Sequence, residues 1–391
     1  MSRLFLIAGE PSGDALGAAL MAGLKELEPG IEFTGVGGPL MEAQGMKSLF
    51  PMEELSVMGL AEVLPRYNQL VRRIKQCAGE VLDQKPDALV TIDSPDFSLR
   101  VAKRVKEASD IRTVHYVAPT VWAWREGRAK KMAGMIDQVL ALFPFEPPYM
   151  EAEGMRCDFV GHPVVAQPTA SPQEVAEFRE TYGLAPDAHA LLVLPGSRKG
   201  EVGRLAPIFG EALRPLLARH PALHVIVPAA PAVFAEVKEC LADWPGQPIL
   251  LDPQGKSEEQ ILTEKRAAFS AANVALAASG TVSLELAAAR TPMVIAYDMN
   301  WFSFQIIKWM MKIDTVTLVN IVSETRVVPE LLGSDCKPEA ISEALLALLD
   351  DDAARQAQLA AQDLTMERLG KGGAAPGLRA ARAVLDGLKQ A

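Results

Sequence analysis

Short, unbroken apolar runs alternate with longer stretches of helical spacing along the chain. The first run, Leu4 to Ala8, stops at Gly9-Glu10-Pro11-Ser12-Gly13-Asp14, and beyond it Leu16, Leu20 and Leu24 recur every fourth position. A run this short with no polar alternation suits a strand covered on both faces, and leucines at i, i+4, i+8 suit one face of a helix. Residues 10–14 then form a βα loop at the carboxyl end of a strand, the edge at which open α/β sheets take their ligands. Ser12 suits the N-cap and Asp14 the first helical turn. Glu10 has no such structural duty and is the odd residue of the loop.

The same alternation predicts strands in 87–93 (DALVTID), 111–119 (IRTVHYVAP), 137–145 (DQVLALFPF) and 157–163 (CDFVGHP), with helical patterns between them. Strand and helix in strict alternation signify a parallel sheet. From Val164 to His189 the chain turns polar and carries Pro168, Pro172 and Pro186, which reads as a linker. The opening theme then returns at 190–202 (ALLVLPGSRKGEV), and further strands follow in 223–229, 248–252, 274–281 and 291–297. A chain of 391 residues exceeds what one core usually supports. The expected class is α/β, with two Rossmann-like, doubly wound parallel-sheet domains facing each other across a cleft. Their expected extents are 1–165 and 190–365, and a helix in 366–391 packs back on the first domain or on a partner chain.

Charge and cysteine content narrow the partners. A formal net charge of −10 argues against broad nucleic-acid binding. Contact with an anionic membrane would need a local basic patch. Cys77, Cys157, Cys240 and Cys336 form no CxxC pair, which suits a reduced, cytoplasmic protein. The first apolar run is too short for a signal-peptide core, and no apolar stretch approaches the ~20 residues of a membrane span. The expectation is a protein that is soluble or peripheral to a membrane.

Candidate chemistry gathers at strand ends. A strand stops at Ser279-Gly280-Thr281 and a helix starts there, an arrangement suited to a diphosphate. Glu285 lies one turn further on the same face, where a carboxylate can accept ribose hydroxyls. The plainer reading, a capped helix with an exposed glutamate, stands equally well on this turn alone. The matching turn 195–198 tips the balance, because Arg198 can pair with phosphate in a fork geometry. Ser197 can cap the next helix, although Glu201 is one place late for a capping box. Asp93 directly follows an apolar strand and reads as a general base, with Asp96 beyond the stiff Pro95. Both aspartates also suit a turn, so one of the two is structural. Trp122, Trp124 and Arg125 form a candidate sugar or acyl platform, though aromatics more often fill cores. His115 reads as a satisfied core histidine and His162 as hinge or cleft lining. No metal-binding pattern emerges, and no cofactor is expected.

Two stretches suit a lipid surface. Residues 57–75 mix Leu64, Leu70, Val71 and Ile74 with Arg66, Arg72, Arg73 and Lys75. Residues 301–312 (WFSFQIIKWMMK) join interfacial aromatics to two lysines. Basic amphipathic helices of this kind lie on membranes. Helix packing or a homodimer face is the alternative, with equal weight for the second stretch.

Two such domains with a nucleotide-diphosphate turn in the second resemble the GT-B glycosyltransferase fold. AGEPSGD (8–14), IDSPDF (92–97), HYVAPTVWAWR (115–125), GHP (161–163), LPGSRKGEV (194–202), ASGT (278–281) with Glu285, and LVNIV (318–322) follow the order found in the lipid-A-disaccharide synthase family. One departure is Gly333, where the family often has glutamine after VPELL. The resemblance implies an inverting transfer from UDP-2,3-diacylglucosamine to 2,3-diacylglucosamine 1-phosphate, giving the β-1,6-linked disaccharide and UDP. It implies Asp93 as base and Glu10 in the acceptor-side cleft; Ser12, Asp96, Trp122, Arg125 and His162 are the candidates for acceptor or cleft lining. Arg198, Ser197, Ser279, Gly280, Thr281, Glu285 and Asn320 would surround UDP. Such proteins sit peripherally on the cytoplasmic face of the inner membrane. The rival readings are a UDP-N-acetylglucosamine 2-epimerase of the same fold and a non-catalytic, membrane-attached UDP-binding module.

Overall fold

The computed structural model describes residues 1–55, 60–122, 127–299 and 313–390, and within the helix over 60–84 the side chains from Tyr67 onward. The chain divides into two compact units, one of Met1–Ala166 with Leu369–Ala391 and the other of Gln167–Arg368.

The first unit runs β1 (Arg3–Ala8), α1 (Pro11–Leu27), β2 (Glu32–Val36), α2 (Pro39–Ala43), α3 (Leu60–Gln84), β3 (Ala88–Ile92) and α4 (Pro95–Ala108). It continues through β4 (Arg112–Tyr116), α5 (Gly127–Ala133), β5 (Gln138–Ala141), α6 (Pro147–Glu151) and β6 (Arg156–Phe159). These strands form one six-stranded sheet in the order β2-β1-β3-β4-β5-β6. Every pairing is parallel, with Ala8 opposite Ile92 and Ile92 opposite Tyr116. Helices cover both faces, which is why strands such as β3 are buried at every position. On one face Phe5, Ile7, Leu89 and Val139 pack against Ile74 and Val81 of α3 and Val101 and Val105 of α4.

The second unit begins earlier than its polar composition suggests. Residues expected as linker form α7 (Pro172–Thr181), and Ser171 and Glu174 make a complete capping box at its start. Phe178 is its buried anchor. The prolines that read as linker flank the helix or sit in its first turn, where proline is tolerated. Then come β7 (Ala190–Leu194), α8 (Lys199–Arg219), β8 (His224–Pro228), α9 (Phe234–Leu241), β9 (Ile249–Leu251), α10 (Glu258–Ala271), β10 (Val274–Ala278) and α11 (Val282–Ala288). The unit closes with β11 (Met293–Tyr297), α12 (Leu318–Ser323), β12 (Glu330–Leu332), α13 (Pro338–Asp350) and α14 (Asp352–Arg368). Its sheet is again six-stranded and parallel, in the order β12-β11-β10-β7-β8-β9.

The chain then returns to the first unit as α15 (Pro376–Leu388), which packs on α1. The two helices meet through glycines: a Cβ added to Gly377 would lie 2.5 Å from the Ala19 carbonyl oxygen. Gln138 Nε2 donates to the Ala383 carbonyl at 2.9 Å, which ties α15 to β5 as well.

Over residues 67–75, part of the α3 stretch expected to face lipid packs inward. Ile74 belongs to the core, and half-buried Leu70 packs against it. Arg73 is bound at 2.8 Å by both carboxylate oxygens of Glu54 and stacks 4.2 Å over the Phe50 ring. The guanidinium is thus tied to the first unit's own Glu54 and Phe50. Tyr67, Arg72 and Lys75 are exposed and Val71 is half-buried, so over residues 67–75 the outward face is narrower and more polar than expected. The side chains of Leu64 and Arg66 and the whole of 301–312 lie outside the described residues. Among the described residues no helix is long and apolar enough to cross a membrane.

Candidate active site

In the first sheet, connections leave β1 for β2 on one side and cross to β3 on the other, so the topological switch falls between β1 and β3. Glu10 follows β1 and Asp93 follows β3, and both side chains are half-buried. The backbone here is strained. Asp93 and Ser94 have φ of 51° and 45°, and Val117, beyond the next strand, has φ of 86°. Positive φ is tolerated by aspartate but is an outlier for a β-branched valine. Strain of this kind gathers at functional sites. Neighbouring strands hold the geometry: the Asp93 N–H donates to the Tyr116 carbonyl at 2.9 Å and the Val117 N–H to Leu140 at 3.0 Å. Gly9 is required by this crowding, because a Cβ there would lie 2.6 Å from Ser94 Oγ.

Other first-unit residues have plainer positions. Helix α1 starts at Pro11 with Glu10 as its N-cap, so exposed Ser12 sits inside the first turn and does not cap it. Asp14 does more than favour that turn. It is buried, and its carboxylate accepts the backbone N–H groups of Gly38, Leu40 and Met41 at 2.9–3.0 Å, fixing the start of α2. Asp96 is an exposed residue in the first turn of α4. Trp122 is buried edge-on to Phe145, and Phe145 stacks on Phe143, which meets His162. His162 is packed into this cluster, and its Nδ1 accepts the Val164 N–H. Burial depresses its pKa to about 4, as it does that of His115, whose Nδ1 meets Thr91 Oγ at 2.8 Å. Both are neutral core histidines. Glu146 lies beneath the same cluster and accepts the N–H groups of Leu142 and Phe143; burial raises its pKa to about 7. Trp124 and Arg125 lie outside the described residues.

In the second sheet the switch falls between β7 and β10. A cavity of about 400 Å³ opens there, between the turn after β7 and the turn after β10. Of the residues expected around a nucleotide, Ser197, Ser279, Gly280, Thr281 and Glu285 line it. Its inner wall is apolar, with Pro228, Leu251, Ile261 and Phe269 among the contributors. Arg198 does not line it. This residue is the backbone N-cap of α8, and its exposed side chain lies 3.6 Å from Glu201. Because the helix starts one residue later than expected, Glu201 occupies the third helical position, and its carboxylate accepts the Ser197 N–H at 3.2 Å. Tyr297 also donates to Glu201, and burial together with that carboxylate raises the phenol pKa.

Asn320 is not among the described residues that line the cavity. It is buried away from the cavity, donating to the Val328 carbonyl at 2.9 Å and accepting the Val328 N–H at 3.1 Å. The amide is thereby engaged on both sides by its own loop, within the 315–330 segment. Sequence reasoning also missed Lys265, which lines the cavity and pairs with Glu285 Oε2. The spacing of Ile261, Lys265 and Phe269 puts them on one face of α10, but no local signal says that the face turns toward the end of β10.

Two parallel α/β units, the second with a cavity in the size range of ligand sites at its switch point, define a fold of the GT-B class. The same fold is seen in UDP-GlcNAc 2-epimerase from Neisseria meningitidis bound to UDP-GlcNAc, with a TM-score of 0.62 at 12% identity over 100% of this chain and 99% of that one. MurG of Acinetobacter baumannii shares it with a TM-score of 0.56 at 14% identity, over 100% and 99% of the two chains. The chain belongs to the lipid-A-disaccharide synthetase family, whose pattern matches residues 4–375, and it is a glycosyltransferase. The lipid-A-disaccharide synthase of Ruegeria pomeroyi is 62% identical over 388 residues, covering 99% of this chain and 96% of its own. That of Rhodospirillum centenum is 49% identical over 385 residues, covering 98% and 94%. The epimerase reading is not favoured, since likeness at 12% identity extends to the fold alone.

Proposed function

We propose that this enzyme transfers the diacylglucosaminyl group of UDP-2,3-diacylglucosamine to the 6-hydroxyl of 2,3-diacylglucosamine 1-phosphate. The observation that carries the donor half is the cavity between the 195–198 and 279–281 turns, with Glu285 on its wall. Its apolar inner wall suits a pyrimidine base, and the Glu285 carboxylate suits ribose hydroxyls, a contact worth about 1.5–3 kcal/mol. The Ser279–Thr281 turn and the exposed guanidinium of Arg198 suit the diphosphate, where charge grows as UDP leaves.

Asp93 acts as general base. As the acceptor oxygen attacks the anomeric carbon, its proton passes to the Asp93 carboxylate, the bond to the diphosphate oxygen breaks, and UDP departs with the electron pair. One displacement inverts the anomeric centre and forms the β-1,6 bond. The strained backbone at Asp93 and Ser94 supports this assignment, and Glu10 flanks the same switch point on the acceptor side. The substrates are lipids, so the enzyme works peripherally on the cytoplasmic face of the inner membrane, with Tyr67, Arg72 and Lys75 on its lipid side. Incubation with both diacylated substrates should yield disaccharide and UDP in equal amounts. An epimerase would yield no disaccharide, and a binding module would retain UDP without turnover.

A further inference from the structure

Among the described residues three carboxylates border the cavity, from Glu201, Glu264 and Glu285, together with one ammonium, from Lys265. That is an awkward wall for a diphosphate unless each carboxylate is compensated. Glu264 is held by both Lys256 contacts, at 2.6 and 2.7 Å, and by the Tyr182 hydroxyl. Glu201 is occupied by the Ser197 N–H and faces the Arg198 guanidinium at 3.6 Å. Glu285 has Lys265. The ammonium meets Oε2 at 2.5 Å, and it lies 5.3 Å from the Phe269 ring, an anchor buried at the base of α10's inner face.

We infer that Lys265 is a positioning residue for Glu285: it neutralises that carboxylate and aims it at the ribose, leaving Oε1 to accept the sugar hydroxyls. The inference rests on the cavity being the nucleotide site. The two possible roles of the lysine differ in what they predict. A phosphate-binding lysine would act on any nucleoside diphosphate through the phosphates alone. A lysine that acts through Glu285 controls recognition of the ribose hydroxyls, because without it a bare carboxylate swings toward solvent and repels the incoming anion.

The test compares binding of UDP and 2′-deoxy-UDP by calorimetry in wild type, Lys265→Met, Lys265→Arg and Glu285→Gln. Wild type should prefer UDP by about tenfold, the value of one charged hydrogen bond. Both Lys265→Met and Glu285→Gln should bring that preference close to one, and Lys265→Arg should restore most of it. A merely structural lysine would weaken both ligands together and leave the ratio intact. If Glu285→Gln loses the preference while Lys265→Met keeps it, the inference is overturned and the nucleotide site stands. If Glu285→Gln leaves UDP affinity unchanged, the nucleotide lies elsewhere and both readings fall.

Discussion

Replacing Asp93 by Asn should abolish turnover while sparing both the fold and the nucleotide site. An amide cannot take the proton of the acceptor hydroxyl, and loss of a general base typically costs about 10²- to 10⁴-fold, roughly 3–5 kcal/mol of barrier. The choice of Asn follows from the backbone. Asp93 sits at φ 51°, a conformation Asn adopts as readily as Asp, whereas most other residues pay about 1–2 kcal/mol there. An alanine variant would therefore mix a chemical effect with a conformational one, and Asn isolates the chemistry. The N–H donated to Tyr116 is retained, so the junction of β3 and β4 should survive. Initial rates with both diacylated substrates should fall at least a hundredfold. UDP affinity by calorimetry should stay within about twofold, since the cavity proposed for the nucleotide is lined by residues of the other unit. Near-wild-type rates would refute the assignment and move suspicion to Glu10 or Asp96. A collapsed melting temperature would show that the carboxylate serves the turn instead.

Asp14→Asn should leave UDP binding intact but lower stability. The buried carboxylate accepts three N–H groups, and an amide strands at least one of them, for about 2–4 kcal/mol and a loss of roughly 5–15 °C in melting temperature by calorimetry. Glu146→Gln should change the pH dependence of stability. The folded-state pKa of Glu146, about 7, lies above the usual 4.5, so the native state keeps a proton that the unfolded chain releases. That contribution is present below about pH 4.5 and lost as pH rises through 7, on the order of 3 kcal/mol. His115 and His162, held near pKa 4 by burial, act oppositely: stability falls as pH drops from 6.5 toward 4, because only the unfolded chain takes up those protons. The glutamine variant should therefore gain stability at pH 8 relative to wild type and fall more steeply toward acid, and parallel curves would reject the assignment. Neutralising Arg72 and Lys75 should weaken co-sedimentation with anionic vesicles, most at low salt, while Ile74→Ser should unfold the protein; a serine variant that stays folded yet leaves the vesicles would reverse the placement of Ile74.

What the chain determines by itself is the alternation of strands and helices and the composition of the turns between them. These depend on neighbours within one strand or one helical turn, so Leu4–Ala8, the 92–97 segment and the two turns at 195–198 and 279–281 were legible from local spacing alone. That each sheet gathers its own turns at one edge was legible too, because parallel strands connected by helices must expose their carboxyl ends together. Tertiary structure decided everything that depends on which face of an element meets which partner. An amphipathic pattern cannot distinguish a lipid from a sheet, and packing assigned Ile74 to the core and Arg73 to Glu54. A polar, proline-rich stretch cannot say whether its one phenylalanine finds a groove, and Phe178 made α7 part of the second unit. Asp14, Asn320 and Lys265 make their contacts with residues 24, 8 and 20 positions away in the chain. A polar side chain in a folded interior takes whatever partner the fold brings within 3 Å of it, and in the extended chain those partners are too far away to leave a trace in local spacing.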